Sequence, residues 1–145
     1  MTHVREIIKA KGSTVWTISP QDTVKKALIF MAEKNVGAVL VLEGKDIVGV
    51  FSERDFARHS AKSNLRPEEV PVKDIMTTRI LFVSPSETTE DCMSLMTAKR
   101  IRHLPVIEND QLIGLISIGD VVNKIIEDHK FSITQLEHYV TGKSY

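Results

Sequence analysis

The chain has 145 residues, of which 42% are hydrophobic and 26% charged, and its 19 Lys and Arg are balanced by 19 Asp and Glu. A neutral chain lacks the basic field that supplies most non-specific affinity for nucleic acid, so DNA is not an expected partner. No apolar run approaches the ~20 residues that a membrane helix needs, and the opening "MTHVREIIKAKG" lacks the pattern of a secretory signal, so a cytoplasmic protein without a membrane anchor is expected.

In chain order, "VREII" (Val4 to Ile8) is followed by "TVWTI" (Thr14 to Ile18), whose β-branched and aromatic residues read as a strand closed by Ser19-Pro20. Val24, Ala27, Leu28 and Met31 then recur at the spacing of one helix face. "GAVLVL" (Gly37 to Leu42) and "IVGVF" (Ile47 to Phe51), separated by "EGKD", read as a β-hairpin, and "SERDFARHSAK" as a second helix. "SNLRPEEVP" (Ser63 to Pro71) has the composition of a linker.

The same order then returns. After "VKDIM" (Val72 to Met76) come "ILFV" (Ile80 to Val83) as a strand, a helix near Glu87 to Arg100, the strand "LPVI" (Leu104 to Ile107), the turn "ENDQ", the strand "LIGLI" (Leu112 to Ile116) and a helix from Ser117. Cys92, the only cysteine, excludes an internal disulfide and a multi-cysteine zinc site. Its apolar neighbours in "TEDCMSLM" make it a buried small hydrophobe. At the end, Ile133, Leu136 and Val140 predict a short extra helix from about Thr134.

The two halves are a tandem duplication. A shift of 65 places Ser84-Pro85 on Ser19-Pro20, Thr88 on Thr23, Met96 on Met31 and Val106 on Val41, whereas "VKDIM" matches "VREII" at a shift of 68. Each copy is a β-α-β-β-α unit, and its continuous strand hydrophobicity predicts sheets covered on both faces. The expected fold is therefore mixed α/β (α+β), two such units packed as a pseudo-twofold pair. The division is at residues 1–66 and 67–145, and the two are expected to fold together, since neither copy is long enough to be comfortable alone.

Both copies carry Gly-x-x-Ser-x-x-Asp where the hairpin meets its following helix, Gly49 to Asp55 and Gly114 to Asp120. One explanation is helix capping, in which the serine accepts from the third helical N–H and the acid returns a bond to the cap. The other is ligand binding. The glycine would admit a ligand close to the backbone, the helix N-terminus would favour a phosphate, and the aspartate would accept both hydroxyls of a ribose.

Two β-α-β-β-α units, each with Ser-Pro after its first strand and Gly-x-x-Ser-x-x-Asp before its last helix, resemble a pair of CBS (cystathionine β-synthase) domains, the Bateman module. "VKDIMT" and "RHLPVIENDQLIGLISIGDVV" (Arg102 to Val122) are close to that family's usual wording, and the resemblance spans about Val4 to Glu127. It implies a free-standing sensor that binds an adenosine ligand between the copies, with AMP, ADP, ATP, NAD(H) or S-adenosylmethionine as candidates. It further implies a homodimer and an unidentified regulated protein that receives the ligand state by conformational change.

Carried over residue by residue, the resemblance assigns the ribose to Asp55 and Asp120, and the ribose or phosphate neighbourhood to Ser52 and Ser117. It assigns the base to the starts of the first strands, Thr14, Val15 and Trp16 with Arg79, Ile80 and Leu81. The approach to the second strand completes each pocket, through Val36, Gly37 and Ala38 in one copy and Ile101, Arg102, His103 and Pro105 in the other. Arg54 has a phosphate-binding fork where the second copy has Gly119, and Arg102 and His103 stand where the first has Gly37 and Ala38, so the two sites are not expected to be equivalent.

Plain readings stand beside these. Arg54 and Arg102 also suit a solvated surface, His103 a structural hydrogen bond, and Trp16 a place in the core. No catalytic function is expected. There is no G-x-G-x-x-G, the "GKS" of Gly142 to Ser144 misses the P-loop pattern because Glu137 replaces its first glycine, and histidines 3, 59, 103, 129 and 138 lack zinc-ligand spacing. The alternative function is a structural dimeric adaptor whose repeated corners are only caps.

Overall fold

In a computed structural model, residues 2–141 are described. They form α1 (Val4–Lys11), β1 (Thr17–Ile18), α2 (Val24–Lys34), β2 (Ala38–Glu43), β3 (Asp46–Ser52), α3 (Glu53–Lys62), a 3-10 turn (Val72–Asp74), α4 (Thr89–Lys99), β4 (His103–Glu108), β5 (Gln111–Ser117) and α5 (Ile118–Thr141). The mixed α/β character and the β-α-β-β-α repeat are as the sequence predicts. The tail motif of Gly142 to Ser144 lies outside the described residues.

The copies begin their first long helices alike. Thr23 accepts from the Lys26 N–H, and Thr88 accepts from Asp91 N–H while the Asp91 carboxylate returns a bond to Thr88 N–H, a complete capping box. Both helices end on a left-handed residue, Asn35 and Arg100, each with φ 54°. β2 and β3 pair antiparallel with Leu40 opposite Val50, and β4 and β5 pair likewise with Pro105 opposite Leu115.

The first strands are shorter than predicted. β1 contributes two parallel pairs, Thr17 with Leu40 and Ile18 with Val41, and the Leu40 N–H donates to Trp16. The second copy keeps one, Val83 with Val106, held by bonds from Val83 N–H to Pro105 O and from Ile107 N–H to Val83 O. Pro105 stands at the place of Leu40 and has no N–H, so the rung that would extend "ILFV" into a strand cannot form.

The compact units do not follow the order of the copies. One unit is 15–81; the other joins 1–14 to 82–145, a division different from the repeat boundary at residues 66 and 67. The 15–81 core contains Ile18, Ala27, Met31, Val39, Val41 and Phe51 with Val72 and Ile75 from the leading segment of the second copy. In the other unit the buried equivalents are Val83, Cys92, Met96, Leu104, Val106 and Ile116, with Val4 and Ile7 from the leading segment of the first copy.

The same three backbone bonds dock each leading segment. Val72 N–H reaches Asp22 O, Lys73 N–H reaches Pro20 O, and Val24 N–H reaches Val70 O; Val4, Arg5 and Thr89 N–H reach Glu87, Pro85 and Thr2 O. Each Ser-Pro corner thus leaves a proline carbonyl as a docking acceptor. The leading segments have been exchanged between the copies with their hydrogen bonds intact.

Cys92 is fully buried at the place of Ala27. Burial, with the nearby Glu87 and Asp91 charges, pushes its thiol up to about 11, so it behaves as the inert small hydrophobe expected. The C-terminal segment differs from expectation. No separate helix begins near Thr134; α5 runs unbroken from Ile118 to Thr141, because nothing between Asp120 and Thr141 is Gly or Pro.

Candidate functional site

In the 15–81 unit the antiparallel register sets Ala38 beside Ser52, and Glu53 N–H donates to Gly37 O, so the approach to β2 lies against the start of α3. Ser52 caps α3 by accepting from Asp55 N–H at 3.2 Å. Asp55 Oδ2 accepts from Ser52 N–H and Oγ–H, both at 2.9 Å, and Oδ1 accepts from Thr77 Oγ1 at 2.9 Å. The capping reading is therefore realised in full, and both oxygens of the carboxylate are already engaged.

Asp55 also lines a surface depression of about 270 Å³ with Arg58, His59, Lys62, Ile75, Met76 and Thr77. Its walls join one carboxylate, one hydroxyl and two permanent cations spaced along α3. Arg58, His59, Lys62 and Thr77 are absent from the sequence-based site. Asp55, Arg58, His59 and Lys62 share a face at helical spacing, which was the available signal.

The other unit repeats the corner. His103 pairs with Ser117, Ile118 N–H donates to Arg102 O at 2.8 Å, Ser117 Oγ accepts from Asp120 N–H at 3.1 Å, and Asp120 Oδ2 accepts from Ser117 N–H at 2.8 Å. Here a cation takes the place of the threonine. Lys11 Nζ lies 2.6 Å from Asp120 Oδ2 and 2.7 Å from Leu115 O. Burial pushes the Asp120 carboxyl up, but the Lys11 and Ser117 bonds outweigh it and hold the group below the usual carboxylate range.

The motif glycines have a role other than the one expected. A Cβ on Gly49 would lie 2.5 Å from Met76 Sδ and 3.1 Å from Thr77 O; one on Gly114 would lie 2.4 Å from Ile8 Cδ1. The space is taken by the exchanged leading segments, Met76 and Ile8 being equivalent at the shift of 68. A close approach that requires glycine is thus made by the chain itself.

The remaining predicted residues are placed as follows. Val15, Trp16, Val36, Arg54, Arg79, Ile80 and Leu81 belong to the 15–81 unit, and Thr14, Ile101 and Pro105 to the other. Trp16 is not in the core. It is 36% exposed, with its ring edge-on to Phe30 at 6.0 Å and Lys34 Nζ 4.4 Å from its centroid. A strand of two residues with Trp16 just outside it does not carry the indole inward.

Among the described residues no helix is long and apolar enough to cross a membrane. The family model for the CBS domain matches residues 4–62 and 72–127. The mitochondrial CBS domain-containing protein CBSX3 of Arabidopsis thaliana is 34% identical over 97% of this chain and 73% of its own length. A solved structure of a protein with CBS domains from Burkholderia ambifaria, described as a signal-transduction protein, is 45% identical over 88% of this chain and 96% of that one, with a TM-score of 0.84. A hexameric CBS-CP12 protein from cyanobacteria is 30% identical over 83% of this chain and 66% of that one, with a TM-score of 0.74. With two matched copies, the repeated Ser-x-x-Asp corners and this common fold, the chain belongs to the CBS-domain family.

Proposed function

We propose that this chain is a cytoplasmic regulatory module that binds an adenosine nucleotide, AMP, ADP, ATP or NAD(H), between its two copies and passes the ligand state to a partner protein by a change of conformation. CBS-domain proteins are in general regulatory modules, and nothing in the family match indicates a catalytic family. The observation that carries the reading is the depression beside Asp55, where a carboxylate suited to ribose hydroxyls lies among Arg58 and Lys62, suited to phosphate. Binding would displace Thr77 from one carboxylate or Lys11 from the other. That exchange gives the ligand a differential interaction with two arrangements, which regulation requires. Self-association into a homodimer belongs to the same reading.

A structural adaptor without ligand is the second reading, favoured by the complete internal bonding of Asp55. A thermal melt with each nucleotide separates the two. A ligand at 100 times its Kd adds about 2.7 kcal/mol of stability, and Asp55→Ala or Asp120→Ala should reduce that shift. No shift with any of the four, and no nucleotide carried by the purified protein in native mass spectrometry, overturns the sensor reading and leaves the adaptor.

A further inference from the structure

The family match ends at residue 127, but α5 continues to Thr141. Val121 on α5 is buried, and Asp128 accepts a bond from Thr2 Oγ1. Beyond that tie, from His129 to Thr141, every residue except His138 is exposed. The helix thus continues for roughly 20 Å beyond the tie.

That length has a pattern. Val122, Ile126, Ile133, Leu136 and Val140 are 36%, 46%, 56%, 64% and 81% exposed. With His129 among them, they are separated by four, three, four, three and four residues, the alternation of a coiled-coil seam. One set of alternate positions is Ile126, Ile133 and Val140, and the other is Val122, His129 and Leu136. An exposed apolar stripe of this form is a partner surface.

The charges beside the seam choose the partner. Lys130 and Glu137 occupy the same flanking position in successive heptads. In a parallel pair they would face Ile125 and Ser132 of the other helix, with no charge matching. In an antiparallel pair of identical helices, Lys130 of each copy meets Glu137 of the other, twice by symmetry, while Ile133 meets Leu136 and His129 meets Val140. We infer that residues 129–140 of α5 pair antiparallel with the same segment of a second copy of this chain. Four layers make a weak, concentration-dependent joint, and the continuity of α5 with its N-terminal turns, anchored by buried Val121, supplies the helix nucleation that a short isolated pair would lack. The pairing is independent of the nucleotide reading, since its test uses no ligand.

Cysteine cross-linking of the full chain tests it, because buried Cys92 stays silent under mild oxidation. Mixed Ile133→Cys and Leu136→Cys proteins should give a disulfide-linked dimer containing one of each, and either alone should give little. Lys130→Glu or Glu137→Lys should reduce that cross-linking about tenfold, by turning two weak attractions into repulsions, and the double exchange should restore it. Unchanged thermal melts of these exposed variants show that the fold is intact. Self-linking of the Ile133→Cys protein alone, no mixed dimer at high protein concentration, or indifference to the charge exchange overturns the antiparallel pair.

Discussion

Lys11 Nζ and Asp120 Oδ2 are 2.6 Å apart, joining the end of α1 to the first turn of α5 across 109 residues of sequence. The pair closes the corner of the second copy with a charge where the first uses the Thr77 hydroxyl. Lys11→Gln should lower stability by only about 0.5 kcal/mol, because exposed ion pairs are worth little. It should tighten the binding of adenosine, which has no phosphate for a lysine to hold, and isothermal titration calorimetry of both proteins checks this. Equal or weaker adenosine binding by Lys11→Gln would show that Lys11 does not compete for the carboxylate.

Gly49 and Gly114 should respond unequally to the same substitution. Gly49→Ala meets a thioether and a backbone carbonyl, and overpacking against backbone should cost about 1 to 3 kcal/mol. Gly114→Ala meets only atoms of the Ile8 side chain, which can turn aside, so it should cost less. Ile8→Val removes the offending Cδ1 and should recover part of the Gly114→Ala loss but none of the Gly49→Ala loss. Urea unfolding of the wild type, the three single variants and the two double variants measures these differences.

Acid should act through Asp120. Its carboxyl in the folded chain lies below the ordinary value, so the unfolded chain takes up the proton more readily. The resulting stabilisation is complete above the unfolded value near ~3.9 and is lost as pH falls through the lower folded value. Asp22 behaves alike: burial pushes it up, while Lys26 and the Ser19 N–H more than offset it. Asp120→Asn should therefore be less stable than wild type at neutral pH, with the gap narrowing as pH falls below about 4. A gap that stays constant over that range contradicts the assignment.

Pro105→Ala restores an amide at the place where Leu40 bonds Trp16. The new N–H should be bonded and exchange slowly with deuterium, lengthening the single Val83 bridge into a short strand like β1. Fast exchange at residue 105 would mean that the missing rung has a cause other than proline.

Much of this was legible in the sequence because its signals are local. The helix faces, the turns at "EGKD" and "ENDQ" and the Ser-x-x-Asp corners are all written within a few neighbouring residues. The exchanged leading segments were not legible, since Val4 and Val72 have the same local pattern and nothing nearby states which Ser-Pro corner receives each. The shift of 68 records only three extra residues after the first leading segment, and by it Lys11 aligns with Arg79, a cation in both copies. The corner glycines misled for the same reason. Their small size was visible, but the Met76 and Ile8 side chains that require it come from distant sequence.

The interleaved boundaries also set the order in which this protein can assemble. Residues 15–81 leave the ribosome as an uninterrupted segment and can close at once, whereas α1, made before them, begins to acquire its partners only when Pro85, Glu87 and Thr89 follow and completes them with β5 and α5. Such separations slow folding, because a long chain segment must be immobilised before any contact rewards it. Val4 and Ile7 therefore stay uncovered while the 15–81 segment is being made, and they are side chains a chaperone would meet in that interval.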